Sequence, residues 1–151
     1  MCKEENKWSE WQIGEFQYWK AALNPDQRYL GRFLLMLKRH TEDLLDTTPQ
    51  EREEFFDILE RMKSALKQLF FPDKFNYFSF GNEIPHLHFH IIPRYAGPRE
   101  FQGVIFQDQR WGKGPLPNEE YVPSLELRDE LVKAVKEKSI PFAASSQTRG
   151  M

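Results

Sequence analysis

The stretch that most constrains this chain is His86-Leu87-His88-Phe89-His90-Ile91-Ile92-Pro93-Arg94, which holds three of the four histidines at a spacing of two within an apolar run. A period of two is that of a β-strand. On a strand, His86, His88 and His90 share one face, while Leu87, Phe89 and Ile91 point to the other. The apolar face calls for burial, so the strand belongs in a sheet with one covered side, and the imidazole face is left for chemistry.

The cover is also written in the sequence. Thr48 can cap a helix, Pro49 suits its first position, and Glu51 closes a capping box back onto Thr48. The apolar set Phe55, Ile58, Leu59, Met62, Ala65, Leu66 and Leu69 then keeps helical spacing until Pro72, and the charged side of this helix reads as a solvated face. Upstream, residues 16–22 and 28–38 read as strands joined through the turn residues Asn24-Pro25-Asp26-Gln27. Gly31 marks a bulge or a close backbone approach. The run Phe33-Leu34-Leu35-Met36-Leu37 is apolar on both faces, as suits a central strand, and delivers Lys38-Arg39-His40. Residues 74–80 form a further strand, and the link Gly81-Asn82-Glu83-Ile84-Pro85 is short enough to join only antiparallel neighbours.

Three regions are less regular. Trp8, Trp11, Ile13, Phe16, Tyr18 and Trp19 read as core packing, or alternatively as a dimer contact or a wall for a nucleobase. Residues 95–123 hold four glycines and four prolines, a loop long enough to suggest a lid or a partner-binding segment. A short helix is expected over about 124–138, with Leu127, Leu131 and Val135 on one side. Residues 1–7 are expected to fray and residues 141–151 to form a disordered tail.

Composition bounds the function. A chain of 151 residues that is 40% hydrophobic supports one core, hence a single domain over residues 1–140. A net charge of -2 gives no global pull toward nucleic acid or membrane, so any anion site must be local. The lone Cys2 cannot form an internal disulfide, the N-terminus lacks the pattern of a secretory signal, and no apolar stretch reaches membrane-spanning length. The expected location is the cytoplasm.

Three imidazoles on one strand admit two chemistries. Neutral histidine is a common zinc ligand, but His86 and His90 would stand roughly 13 Å apart at the backbone, an awkward reach for one tetrahedral ion. His88 and His90 with His40 or Glu83 would be an easier set, although no His-Glu-x-x-His, Cys-x-x-Cys or Asp-rich loop supports it. The second chemistry sets the row against an extended anion such as a polyphosphate, with one histidine as nucleophile and its neighbours as hydrogen-bond donors. Neither usual phosphate loop, Gly-x-x-x-x-Gly-Lys-Ser/Thr or Gly-x-Gly-x-x-Gly, is present to compete.

The run His86-Leu87-His88-Phe89-His90-Ile91-Ile92 resembles the signature of the histidine triad family, His-apolar-His-apolar-His-apolar-apolar. The order of Lys38-Arg39-His40, the helix opened by Asp46-Thr-Thr-Pro-Gln-Glu, Phe75-Asn76 and Pro93-Arg94 is similar too, so that the resemblance covers roughly residues 11–95. Within the family the chain looks most like small bacterial proteins of dinucleoside polyphosphate hydrolase type. The resemblance implies an α+β fold, a five-stranded antiparallel sheet with one long and one short helix, paired as a homodimer. It implies an enzyme that hydrolyses or transfers nucleoside monophosphates: His88 attacks the α-phosphorus, His90 bonds the phosphate or leaving oxygen, and His86 supports the nucleophile. His40 completes the cluster, and Asn76 and Asn82 are polar contacts at the nucleotide site. The expected partner is a nucleotide, with a purine base; no metal or other cofactor is required, although a divalent cation can accompany the substrate. The alternatives are a nucleotide-sensing module with little turnover and a metal-dependent hydrolase. One departure stands out: many members carry Gly-Gln-Ser or Gly-Gln-Thr where this chain has Gly81-Asn82-Glu83, and Glu83 is left outside the site. Arg94 shares the parity of the triad, as a salt bridge or a substrate contact, and Lys38 and Arg32 are open in the same way.

Overall fold

A computed structural model describes the backbone of residues 8–149 and the side chains as far as Ser139. Expectations for residues 1–7 and for the last two residues of the tail lie outside the described residues.

Five strands, β1 (Gln12–Glu15), β2 (Trp19–Leu23), β3 (Phe33–Leu37), β4 (Lys74–Phe78) and β5 (His88–Arg94), form one sheet in the order β1-β2-β3-β5-β4. Every neighbouring pair is antiparallel. Helix α1 (Pro49–Phe70) connects β3 to β4, a hairpin of β6 (Arg99–Phe101) and β7 (Val104–Phe106) follows β5, and α2 (Leu125–Arg149) closes the described chain. This is the expected α+β architecture, with the histidine strand second from one edge.

The start of α1 is as the sequence predicts. Thr48 Oγ1 accepts from the Glu51 N–H at 3.1 Å, and the Glu51 carboxylate accepts from the Thr48 N–H at 2.8 Å, closing the capping box. The helix ends as Phe71 turns left-handed at φ 54° just before Pro72. Its buried face, with Ile58, Met62, Ala65, Leu66 and Phe70, packs on the sheet, where Phe55 meets Trp19 at 4.9 Å and Phe89 at 4.8 Å between ring centroids. Leu127, Leu131 and Val135 of α2 join the same core. Gly31 is a close approach: at φ +86° it lies so near α1 that a Cβ would stand 2.9 Å from Leu66 Cδ2.

The structure differs from expectation in several places. The strand read over 16–22 begins only at Trp19, as β2, and residues 16–18 are the corner between β1 and β2. There the Glu54 carboxylate of α1 accepts from the N–H groups of Gln17, Tyr18 and Trp19 at 2.7–3.2 Å, a non-local anchor that no local pattern announces. The strand expected over 28–38 begins only at Phe33. Before it runs a buried turn in which Gln27 donates from Nε2 to the carbonyls of Asn24 and Arg32 and accepts from the Gly31 N–H, so one side chain replaces a stretch of ladder. The long loop contains the β6–β7 hairpin, turned through Gln102 and Gly103 at φ 50° and 78°. Finally, α2 is not short. Its backbone continues to Arg149, across residues expected as a tail, because the apolar spacing records only the packed part of a helix.

Candidate active site

The sheet's uncovered face carries the site. β5 lies between β3 and β4, with Met36 opposite His88 and both Leu34 and Phe78 opposite His90. His88 and His90 floor a cavity of about 280 Å³ with Leu34 and Met36, walled by Trp8 and by residues 80–84.

His88 is 8% exposed, and its orientation is fixed by a backbone group: Nδ1 donates to the His86 carbonyl at 2.7 Å. That bond holds the proton on Nδ1 and leaves Nε2 with its lone pair. Ser79 Oγ donates to the His88 carbonyl at 2.6 Å and steadies the strand beneath the ring.

His86 stands apart from the row that strand periodicity predicts. Regular pairing of β5 begins at His88, and Leu87 instead bonds to both Leu37 and Thr41 backbones. The His86 ring donates from Nε2 to the Leu37 carbonyl and meets His40 edge-on at 5.3 Å. The triad is thus two plus one: His88 and His90 reach the cavity, while His86 contributes its carbonyl to His88. His40 is exposed beside His86 and does not line the cavity.

His90 is gripped more tightly. Its ring stacks on Phe78 at 4.6 Å and 6° and meets His88 edge-on at 5.2 Å, and Arg32 Nη2 lies 3.5 Å from its Nδ1. Burial, helped by the charge of Arg32 and by His88, pushes its pKa down to about 3, so the ring is neutral at physiological pH. Arg32 is itself 7% exposed and paired with Asp26 at 3.3 Å. Asp26 also accepts from Asn118 Nδ2, the Tyr121 N–H and the Arg28 N–H at 2.8–3.0 Å.

The polar residues separate. Asn82 lines the histidine cavity, and Glu83 is exposed at its rim. Asn76 faces a neighbouring groove of about 800 Å³ with Lys74 and Trp111, and its Oδ1 accepts from Arg94 Nη1 at 2.8 Å. Arg94 is a salt bridge, bonded to Asp108 at 2.7 and 3.1 Å. Lys38 pairs with Glu15 at 3.1 Å, away from the cavity. Among the described residues no group of three or more His, Cys, Asp or Glu is arranged to hold a metal ion. The contact of Arg32 with His90 and the stacking of Phe78 lie outside the expected site. Strand parity is the signal for both: Phe78 pairs with His90, and Arg32 lies two residues before Leu34, which also pairs with it.

Comparison with known proteins agrees with this fold. A histidine triad protein from Sinorhizobium meliloti has the same fold, with a TM-score of 0.73 at 18% identity over 91% of this chain and 96% of the other. One from Bradyrhizobium japonicum has a TM-score of 0.69 at 21% identity over 92% and 96%. An uncharacterised HIT-like protein of Methanocaldococcus jannaschii is 33% identical over 93 residues, 58% of this chain and 71% of that protein. The sequence profile of the HIT domain matches residues 7–97, a span that includes the capped helix, the 81–85 link and the strand bearing His88 and His90. On that match, which covers more than half of its length, the chain belongs to the HIT domain family.

Proposed function

We propose that this protein is a nucleotide hydrolase or transferase that cleaves at the α-phosphate of a dinucleoside polyphosphate or related nucleotide. His88 Nε2 attacks the α-phosphorus; a P–N bond forms as the bond to the leaving group breaks, and water then releases the nucleoside monophosphate from His88. The observation that carries this reading is the bond from His88 Nδ1 to the His86 carbonyl, which sets the tautomer a nucleophile needs. His90 donates to the phosphate, Asn82 is a further polar contact, and Trp8 is a wall for a purine base. The protein's task is mainly positioning and charge stabilisation. A divalent cation enters only with the polyphosphate.

Pairing into a homodimer belongs to the same proposal. It is supported by β4, which ends the sheet with an edge unpaired among the described residues and exposes Tyr77, with Phe80 exposed just beyond it. The cytoplasm is the proposed location; no helix among the described residues is long and apolar enough to cross a membrane.

The test is release of AMP from a diadenosine polyphosphate and from an adenosine phosphoramidate, with His88→Ala as control. Cleavage of at least the polyphosphate by the wild type and a loss of about 10³-fold or more in the variant are expected. Wild-type protein that binds AMP yet releases none from either compound would instead be a sensing module.

A further inference from the structure

His90 is held by two groups that are not part of the triad. Phe78 fixes the plane of its ring, and the Arg32 guanidinium meets its edge at Nδ1. A guanidinium has only donors, so Nδ1 must be the lone-pair nitrogen and the single ring proton sits on Nε2. Arg32 is not there to saturate its own hydrogen bonds: its buried Nε has no partner among the described residues, and its one ion pair, to Asp26, is 3.3 Å long.

We propose that Arg32 is a positioning residue that locks His90 as a neutral Nε2–H donor, committing the site to leaving groups that depart as anions, namely phosphates and polyphosphates. This inference rests on the reading of His88 as the nucleophile. When His88 Nε2 bonds to the α-phosphorus of a polyphosphate, the bridging P–O bond breaks and its electron pair leaves on a phosphate oxygen. That oxygen is stable as an anion near neutral pH and needs no proton. A phosphoramidate breaks a P–N bond instead, and the departing amine must collect a proton on nitrogen. An imidazolium could supply it. A neutral His90 with its proton on Nε2 would have to become an imidazolate, so it can only hydrogen-bond.

The charged surroundings of His90 support the lock. Arg32 faces it from the start of β3, with Asp26 behind; His88 lies on its own strand; Lys20 of β2 stands beyond Met36; and Glu83 is exposed at the cavity rim. β4 meets it with the uncharged ring of Phe78. Burial acts in the same direction as the arginine, since it too disfavours an imidazolium.

Two measurements decide the matter. Nitrogen-15 NMR of the histidine side chains in the full chain should show His90 of the wild type with its proton on Nε2 and no titration from about pH 5 to 8, while in Arg32→Met the ring should titrate at a higher pH. In kinetics, kcat/KM for a diadenosine polyphosphate should exceed that for an adenosine phosphoramidate by at least about 100-fold, the lower end of what a general acid contributes. Arg32→Met should narrow that ratio about tenfold or more, and Arg32→Lys should restore it. A wild-type His90 that carries its proton on Nδ1, or that titrates near neutrality, overturns the lock. So does a ratio unmoved by Arg32→Met. Should that variant fail to fold, the wild-type spectrum and Arg32→Lys still decide. Cleavage of neither compound removes the enzyme reading and the leaving-group consequence together, while the spectrum separately upholds or overturns the role of Arg32.

Discussion

Arg32 and Arg94 are both buried on the uncovered face of the sheet, and they are bonded in opposite ways. Arg94 uses its whole donor set: Nε and Nη2 on Asp108, Nη1 on Asn76 and the Lys113 carbonyl, and Nη2 again on the Arg110 carbonyl, all at 2.7–3.1 Å. Arg32 has a 3.3 Å pair with Asp26, a 3.5 Å contact with His90 and an orphaned Nε. The saturated arginine is a fastener, tying residues 108–113 to the end of β5. The under-bonded one carries an uncompensated desolvation cost. Such a cost is sustained where a charge acts on a neighbour, and here the neighbour is His90.

Breaking the fastener should have the largest effect on stability. Arg94→Met leaves the buried Asp108 carboxylate without its cation and with only the N–H groups of Tyr95 and Arg110, and we expect about 3–5 kcal/mol of destabilisation in urea unfolding, with new protease sensitivity around residues 108–114. A loss well under that would show Arg94 to be no more essential than Arg32. Arg32→Met should cost less, about 1–3 kcal/mol, because Asp26 keeps three other donors, from Arg28, Asn118 and Tyr121.

The two arginines should also separate along the pH axis. His90 takes up a proton near 6.5 in the unfolded chain and only near 3 in the folded one. The unfolded state therefore binds more protons between those values, and the contribution of His90, complete above about pH 6.5, is lost as pH falls toward 3. Asp108 lies below the usual carboxylate value of 3.8; its burial is outweighed by Arg94 and by the N–H groups of Tyr95 and Arg110. Its contribution is present above that value and is lost only as pH falls through the lower, folded pKa. Urea midpoints of His90→Gln should accordingly fall less steeply than wild type between about pH 6.5 and 4.5, and equal slopes would contradict the described surroundings of His90. The smallest effect belongs to a control remote from both arginines: Thr48→Ala, which removes the helix cap, should cost about 1 kcal/mol and leave the His90 spectrum unchanged.

Much of this architecture is legible from local rules. The α1 cap, the alternation of β5 and the close approach at Gly31 each follow from a few neighbouring residues, and the structure bears them out. What escaped depends on distant partners. Gln27 substitutes for a strand, Glu54 of α1 shapes the corner at residues 17–19, and the backbone of Leu37 and Thr41 draws His86 out of line. In the site, His88, His90 and Asn82 meet at one cavity, while Asn76 is turned toward Arg94. Arg32 was visible only as a charge of uncertain purpose, because its meaning lies in a ring 58 residues further along the chain.

The backing of Arg32 has a bearing on how this module could be cut and transplanted. The span that matches the family ends at residue 97, yet Asp26 draws two of its donors from residues 118 and 121, and Gln27 donates its backbone N–H to the Tyr121 carbonyl. A fragment trimmed to the matched span would still contain every histidine. It would lack the strap that holds Asp26 against Arg32, and the histidine triad would survive as a motif with one of its rings no longer under the same electrostatic control.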